Sequence, residues 1–175
     1  MSMISSMGKR IKEWIYILAV GFLLAVVIQK TAFALYIVEG SSMMPTIKNH
    51  ERVFVNRIPL YFGAINRGDI VVFPNPIDGR YFVKRVIGLP GDRISISDGR
   101  VYLNGKILHE EYVDTITVGD MEEVTVKEGH VFVMGDNRHP NASWDSRSPD
   151  IGQIPISTLA GEAEFVLFPV PHSLK

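Results

Sequence analysis

The stretch YFVKRVI, residues 81–87, reads as a β-strand in which one lysine stands among apolar side chains. Side chains alternate between the two faces of a strand, so Lys84 shares its face with Phe82 and Val86. If that face is the inner one, burial disfavours the ammonium form of Lys84 and lowers its pKa. In the alternative interpretation, the aliphatic stem of Lys84 lies on apolar surface and its ammonium group reaches water. The stretch thus predicts a strand and leaves the role of its lysine open.

Similar short β-rich runs lie on both sides of this strand, with turn residues between them. They occupy residues 52–55, 69–73, 101–103, 123–126, 130–134 and 164–168. Asp98-Gly99 and Asn104-Gly105, which flank one of these runs, are dipeptides typical of tight turns between antiparallel strands. Helical periodicity is hard to find after Val38. The pattern predicts an all-β domain of mostly antiparallel, barrel-like sheets, preceded by one transmembrane helix.

Length and composition exclude several classes of function. A chain of 175 residues allows one compact domain plus an anchor. The 18 basic and 19 acidic residues give a net charge of −1, and without a broad basic excess nucleic acid is a poor partner. Cysteine is absent, which excludes disulfides, thiolate metal sites and cysteine nucleophiles. We predict no cofactor, no metal ion and no nucleic-acid partner.

The N-terminal segment carries an uncharged run from Trp14 to Ile28, preceded by three basic residues. As a helix, the segment from Lys12 to Lys30 extends roughly 27 Å, which nearly spans a hydrocarbon core if both lysines snorkel. Basic residues before a membrane span favour the cytoplasmic side. We therefore predict a cytoplasmic N-terminus at residues 1–12, a transmembrane anchor at 13–30 and an extracytoplasmic β-rich domain at 31–175.

The same segment also fits a cleavable signal peptide. A basic region, a short apolar region and then Ala32-Phe33-Ala34 are typical of a secretory signal with its cleavage site. Against cleavage, Gln29 and Lys30 interrupt the approach to Ala34, and no glycine or proline breaks the helix before that site. We favour the retained anchor. Under either interpretation, the remaining chain faces the outside.

The stretch GSSMMPT, residues 40–46, holds a serine in a constrained loop shortly after the apolar segment. Pro45 prevents a central strand or helix from continuing through the loop, and Gly40 lets a substrate backbone approach closely. Ser42 can offer both its hydroxyl and its own N–H to a substrate carbonyl. Taken alone, it is better interpreted as an ordinary turn serine. A nucleophile needs a base, and since no histidine lies in a recognisable triad context, Lys84 is the better candidate.

A polar cluster follows the run at 130–134. It consists of Gly135, Asp136, Asn137 and Arg138, and then Ser143, Trp144, Asp145, Ser146 and Arg147. The first four residues read as a sharp turn that leaves a strand. Ion pairs between the acidic and basic members would fix this loop. The alternative interpretation is a surface turn held together by those pairs without any part in catalysis.

Taken together, these segments resemble bacterial type I signal peptidase, the leader peptidase, in the compact form of Gram-positive bacteria. The matching segments follow one another along the chain at residues 40–46, 67–73, 83–92, and 135–138 with 143–147. The resemblance covers most of the chain outside a small insert near residues 94–128. Four ordered segments are far more specific than any one of them alone.

The resemblance implies catalytic roles for individual residues. Ser42, the serine directly before methionine, matches the nucleophile, and Lys84 matches the general base. Ser143 matches the serine that orients the lysine, and Asp145 matches a supporting aspartate. Between residues 138 and 143 the chain is two residues longer than the family's common spacing, which makes Ser146 the alternative to Ser143.

The resemblance also implies how the substrate would be held. The family builds its oxyanion hole around the N–H of the nucleophile, here Ser42. Gly40 stands where some members add a second donor, and since it has no hydroxyl, that donor would have to come from the backbone. Val38 and Val83 fall near positions that shape shallow pockets for small side chains. The remaining supporting positions are Gly135, Asp136, Asn137, Arg138 and Arg147.

The predicted activity is that of a membrane-bound serine endopeptidase with a Ser-Lys dyad. It would cleave signal peptides from exported preproteins after small residues, at Ala-x-Ala-like sites. Preproteins and the lipid bilayer are its predicted partners, near the secretion machinery. The predicted location is the bacterial cell membrane, with a single span, a cytoplasmic N-terminus and the catalytic domain outside.

Two other functions fit some of these features. A self-cleaving repressor-type protease shares Ser-Lys chemistry, but the sequence has a membrane segment and no helix-turn-helix pattern. A membrane-anchored β-domain without catalysis would make Ser42 and Lys84 incidental. The distance between these two side chains discriminates, because hydrogen-bond reach favours the enzyme and more than about 6 Å favours the non-catalytic domain.

Overall fold

The structure is a computed structural model that describes residues 2–63 and 65–174. The chain divides into two units, one up to Phe33 and one from Ala34 onward. The first unit is the helix α1 (Ser2–Ala32). Its segment Lys12–Ala32 has a mean hydropathy of 2.0 and is long and apolar enough to cross a membrane. The predicted N-terminal apolar helix is therefore present, and by length and composition it fits an anchor or a signal sequence.

The rest of the described chain is mostly β-structure. Its strands are β1 (Phe33–Ile37), β2 (Arg52–Asn56), β3 (Ile70–Pro74), β4 (Tyr81–Gly88), β5 (Arg93–Ser97), β6 (Arg100–Leu103), β7 (Lys106–Ile107), β8 (Met121–Thr125), β9 (His130–Met134), β10 (Ile154–Pro155), β11 (Gly161–Phe168) and β12 (His172–Ser173). A short helix α2 (Ile58–Tyr61) follows β2, and a 3-10 turn (Ile156–Thr158) precedes β11.

The strands form two sheets. The larger has the order β1-β2-β11-β3-β4-β9-β10, with β12 paired to β11. The smaller has the order β7-β6-β5-β8 and contains most of the predicted insert near residues 94–128. Every strand pair whose register is described is antiparallel. The predicted fold class, mostly antiparallel sheets after one N-terminal helix, is confirmed.

The central strand β3 shows why its sequence is apolar throughout. Ile70 and Val72 pack into one core cluster, whereas Val71 and Phe73 pack into another. Both faces of β3 are therefore covered, and a strand buried on both faces needs a continuous apolar run rather than alternation. The first cluster extends beyond the sheet, because it also receives a side chain from residues 40–46, Met43, which is fully buried.

Candidate active site

Ser42 and Lys84 lie within hydrogen-bond distance of each other. Lys84 Nζ donates to Ser42 Oγ at 2.7 Å and to the Val83 carbonyl at 3.0 Å. Lys84 is 3% exposed, so its amino group is buried and does not reach water. Nζ also lies 5.1 Å from the ring centroid of Phe82, which shares its face of β4. The distance favours the catalytic interpretation over an incidental serine and lysine.

Burial determines the chemistry that Lys84 can perform. It lowers the pKa of Lys84 from about 10.5 to about 8. The carboxylates of Asp145 and Asp136 oppose this change because they stabilise the ammonium form, and the guanidinium of Arg147 adds to the lowering. An amine with a pKa near 8 is partly neutral just above neutrality. In that form it can accept a proton from the Ser42 hydroxyl.

The loop at residues 40–46, here called the nucleophile loop, is fixed at both of its ends. Met43 and Ile47 are fully buried, and the Ile47 N–H donates to the Met43 carbonyl at 2.9 Å. Gly40 has a φ of +105°, in the left-handed region that favours glycine. Its N–H donates to Asn49 Oδ1 at 2.9 Å. These contacts hold Ser42 in one position.

Two N–H groups of the nucleophile loop are candidate donors for an oxyanion. Because the N–H of Gly40 is bonded to Asn49, a second backbone donor beside Ser42 has to come from another residue. In the part of the chain that the structure describes, neither the N–H of Ser41 nor that of Ser42 has a protein acceptor. These adjacent N–H groups are therefore the candidate donors to a substrate oxygen.

The turn at residues 135–138, here called the GDNR turn, supports the nucleophile loop through hydrogen bonds to the carbonyls of its two serines. The Asn137 N–H donates to the Ser42 carbonyl at 3.0 Å, and Asn137 Nδ2 donates to the Ser41 carbonyl at 2.9 Å. A Cβ atom on Gly135 would lie 2.4 Å from Ser42 O and 2.3 Å from Ser143 Oγ. Only glycine therefore allows this close approach.

The Asp145 carboxylate accepts hydrogen bonds from three residues. Ser143 Oγ donates to Oδ2 at 2.7 Å, and the Gly135 N–H donates to the same oxygen at 3.0 Å. Arg147 donates Nε to Oδ1 at 2.8 Å and Nη2 to Oδ2 at 2.9 Å. Burial alone would raise the pKa of Asp145, but these donors outweigh it and hold the pKa below its usual range. The predicted ion pair between Asp145 and Arg147 is confirmed.

The structure does not bond either candidate serine directly to Lys84. Among the described residues, Lys84 Nζ makes only the two hydrogen bonds given above. The hydroxyl of Ser143 reaches Asp145, whose carboxylate acts on Lys84 electrostatically. Ser146 Oγ accepts the N–H of Val133 at 3.0 Å and so belongs to the backbone of β9. Of the two, Ser143 is the one connected to the environment of the lysine.

The hydrogen-bond partners of Asp136 lie outside the GDNR turn. This pairing was not predicted from the sequence. Arg85 donates Nε to Oδ1 at 2.9 Å and Nη2 to Oδ2 at 2.7 Å, and both side chains are buried. Thr46 Oγ1 donates to Oδ2 at 2.5 Å. Arg85 directly follows Lys84, and alternation along β4 indicated that it points away from the lysine face. That alternation was the one available signal.

Arg138 also pairs outside the turn. Its partner is Glu110, in the insert that the resemblance leaves uncovered. Expecting ion pairs within the GDNR turn and its following loop was wrong for Asp136 and Arg138, because each is a fully buried charge that meets its counter-charge on another element. Nothing in the spacing of Glu110 distinguishes it from a surface acid.

Ser42 and Lys84 line a cleft of about 310 Å³. Its other lining residues include the predicted Val38, Gly40 and Val83, and the aromatic residues Tyr36, Tyr81 and Trp144. Val38 and Val83 are 6% and 8% exposed, so they form the wall of the cleft more than its rim. The rings of Tyr36 and Tyr81 contact each other with centroids 5.0 Å apart. The aromatic part of the lining was not predicted from the sequence.

Comparison with known proteins gives a consistent result. The family model described as signal peptidase, peptidase S26, matches residues 11–168. Signal peptidase I of Bacillus licheniformis is 40% identical over 167 residues, which cover 90% of this chain and 88% of that protein. Signal peptidase I S of Bacillus subtilis (strain 168) is 40% identical over 176 residues, which cover 94% and 92%. A crystal structure of a signal peptidase I from Enterococcus faecalis V583 has 33% identity and a TM-score of 0.49, and the match covers 59% of this chain and 96% of that chain.

The fold and the family match together define a peptidase, built on antiparallel sheets after one N-terminal apolar helix. The chain belongs to the signal peptidase family, peptidase S26. The resemblance found in the sequence is therefore confirmed. This membership favours the peptidase over a non-catalytic β-domain and over a repressor-type protease.

Proposed function

We propose that the protein is a membrane-bound serine endopeptidase that cleaves signal peptides from exported preproteins with a Ser-Lys dyad. Ser42 is the nucleophile and Lys84 is its general base. The observation that carries this proposal is the 2.7 Å contact between Lys84 Nζ and Ser42 Oγ, made by a buried lysine in an open cleft. Membership of the signal peptidase family supports the same reaction.

The first half of the reaction forms an acyl-enzyme. Neutral Lys84 takes the proton of Ser42 as Oγ bonds to the substrate carbonyl carbon. The carbonyl oxygen becomes an oxyanion, which the N–H groups of Ser41 and Ser42 stabilise. The intermediate then collapses and the peptide C–N bond breaks. The leaving nitrogen takes the proton from Lys84 and departs as the new N-terminus of the mature protein.

The second half releases the signal peptide. A water molecule attacks the ester carbon while Lys84 accepts one of its protons. When the ester bond breaks, Ser42 Oγ takes the proton back from Lys84, and the signal peptide leaves as a carboxylic acid. Asp145 is held by Ser143 and Arg147 and balances the charge on Lys84 while the proton resides there. Lys84 is the base in both halves, as the single histidine is in a Ser-His-Asp triad.

The substrate preference follows from the wall of the cleft. Val38 and Val83 are almost fully buried and line the cleft together with Ser42, so we expect little depth for a substrate side chain there. Small side chains such as alanine fit there, which supports cleavage at Ala-x-Ala-like sites. The aromatic pair of Tyr36 and Tyr81 lies along the same cleft. It offers apolar surface to an extended peptide.

The N-terminal helix would anchor the enzyme in the bacterial cell membrane. Residues 13–30 would cross the bilayer once, with residues 1–12 in the cytoplasm and the domain at 31–175 outside. The apolar segment Lys12–Ala32 supports the span, and the basic residues before it support the orientation. Preproteins near the secretion machinery are tethered to the same bilayer, which raises their effective concentration at the enzyme.

Incubation with a preprotein tests the proposed reaction. We expect the purified full-length protein to release the mature protein in detergent, and Ser42→Ala to release none, because the substitution removes the attacking oxygen. Ser97→Ala is the matched control, since Ser97 is exposed and lies on the smaller sheet. Cleavage by purified, folded Ser42→Ala would refute the assignment of the nucleophile.

A further inference from the structure

Arg138 is a fully buried cation whose charge is balanced from outside the GDNR turn. Nη2 donates to Glu110 Oε1 at 2.5 Å and Nη1 donates to Glu110 Oε2 at 3.0 Å. Nη1 also donates to Thr117 Oγ1 at 2.8 Å, and Nε donates to the Gly135 carbonyl at 2.8 Å. Glu110 and Thr117 both belong to residues 108–120, here called the insert loop, which joins β7 to β8. The insert loop therefore holds the GDNR turn by binding Arg138, which belongs to that turn.

A second path leads from the insert loop to the nucleophile loop through Tyr112. Its hydroxyl donates to Glu110 Oε1 at 2.7 Å, and burial raises the pKa of this phenol, so it remains a neutral donor. The Arg85 guanidinium lies over the Tyr112 ring, 4.0 Å from its centroid. Arg85 binds both oxygens of Asp136, which in turn accepts the hydroxyl of Thr46. Contacts thus continue without a gap from Glu110 to the nucleophile loop.

The GDNR turn transmits this restraint to the nucleophile. Asn137 donates its N–H to the Ser42 carbonyl and its Nδ2 to the Ser41 carbonyl. Asn137 precedes Arg138, so the anchored arginine fixes the backbone from which these bonds are made. A shift of the turn would move Ser42 relative to Lys84. In a reacting geometry, a displacement of about 1 Å can lower the rate roughly 100-fold.

We propose that the insert loop is a working part of the active site and that Glu110 is its positioning residue. Glu110 holds the GDNR turn, and through it Ser42, in the geometry that catalysis needs. No hydrogen bond joins Glu110 to Ser42 or Lys84 in the described part of the chain, so its action passes through its two partners, Arg138 and Tyr112. Removing one partner of a buried ion pair leaves an uncompensated charge. This inference rests on the proposed roles of Ser42 and Lys84.

Glu110→Gln tests the positioning role, because it keeps the shape of the side chain and removes its charge. The matched control is Glu111→Gln, since the Glu111 side chain is 87% exposed. We expect kcat of the full-length Glu110→Gln protein on a preprotein-derived peptide to fall roughly 10- to 100-fold, with KM within about twofold of the wild type. Glu111→Gln should match the wild type in both constants.

Hydrogen exchange at the Asn137 amide separates positioning from a loss of global stability. This amide donates to Ser42, so a loosened turn should expose it. In Glu110→Gln we expect it to exchange about tenfold faster or more, at a temperature where the amides of β3 exchange as in the wild type. Unchanged exchange at Asn137 together with a wild-type kcat would overturn the proposal.

Thr117→Val provides a second variant that leaves the ion pair intact. It removes one acceptor of Arg138 and keeps the shape of the side chain. We expect kcat to fall roughly 3- to 10-fold with KM unchanged, as the loss of one buried hydrogen bond implies. If Glu110→Gln does not fold, a wild-type kcat for Thr117→Val overturns the proposal.

Ser42→Ala, measured in parallel, distinguishes this inference from the proposed function. An active Ser42→Ala protein would overturn the proposed nucleophile, and the role of Glu110 with it. If Ser42→Ala is inactive and Glu110→Gln behaves as the wild type, only the positioning role is refuted.

Discussion

The pKa of Lys84, and with it the proposed reactivity of this residue, depends on where its side chain lies in the fold. Its ammonium form is disfavoured by burial, while Asp145 and Asp136 favour that form. The effect of burial is the larger one, and it lowers the pKa of Lys84 to about 8. A more exposed lysine would stay charged at neutral pH and could not accept a proton from Ser42. The two carboxylates limit the lowering, so the amine can still bind the proton that the proposed mechanism transfers to the leaving group.

Activity should rise with pH through a value near 8. Below that pH Lys84 is protonated and cannot act as a base, and above it the neutral amine predominates. We expect log kcat/KM to climb with a slope of about one and then level off. The measurement is peptide cleavage by the detergent-solubilised protein from pH 5 to pH 9.5, with Lys84→Met as the background. A profile that is flat from pH 5 to pH 9 would contradict a lysine base.

The sequence predicted those site residues that strand alternation or a motif distinguishes from their neighbours. Lys84 stands out as a charge in an apolar strand, and Ser42 as a serine in a constrained loop. Glu110 has no such signal, because its carboxylate is distinguished only by the buried Arg138 that it meets in the fold. The bond from Ser143 to Asp145 depends on side-chain rotamers, which periodicity does not determine.

At the scale of elements, β4 is the strand where the site and the two sheets meet. Lys84 lies in its middle, and Gly88 lies at its end beside the smaller sheet. A Cβ atom on Gly88 would lie 2.3 Å from Ile94 Cδ1 and 2.9 Å from Val126 Cγ2. The missing side chain therefore lets β4 approach β5 closely enough to share one core cluster.

Gly88→Ala should destabilise the protein, because the added methyl group overlaps the side chains of Ile94 and Val126. Overpacking of this kind costs about 1–3 kcal/mol. We expect the Tm of the full-length protein to fall by roughly 3–10 °C in a thermal unfolding experiment. Gly21→Ala is the control, since its added Cβ would meet no atom within 4 Å apart from its chain neighbours and the backbone of its own helix. Equal Tm values for the wild type and Gly88→Ala would refute the close packing of β4 against the insert.

Strand positions were predictable where turn residues bounded an apolar run. The runs at 81–87 and 130–134 correspond to β4 and β9 almost residue for residue. β1 was not predicted, because the chain stays apolar from α1 into this strand and no glycine or proline marks the boundary. β7, β10 and β12 are two residues long, too short for any period to be visible.

At the scale of the whole molecule, the apolar helix and the β-rich domain are separate units joined without a linker. α1 ends at Ala32, and β1 begins at the next residue. The exposed apolar side chains of α1, such as Trp14 and Phe22, suit a lipid environment rather than water. Hydropathy predicted this helix well, but a retained anchor and a cleaved signal have the same hydropathy. Only the covalent state of the chain distinguishes them, because both interpretations place the domain outside.

Single-cysteine labelling can determine the covalent state of the chain and, separately, its predicted orientation, because the protein has no cysteine of its own. We expect Ser97→Cys, in the domain, to react with a membrane-impermeant maleimide in intact spheroplasts. Ser5→Cys, in the basic N-terminal segment, should react only after the membrane is permeabilised, since its flanking charges favour the cytoplasmic side. A retained anchor requires that the label on Ser5→Cys migrate with the full-length chain. Labelling of Ser5→Cys from outside would reverse the orientation, and a label found only on a short fragment would show cleavage near Ala34.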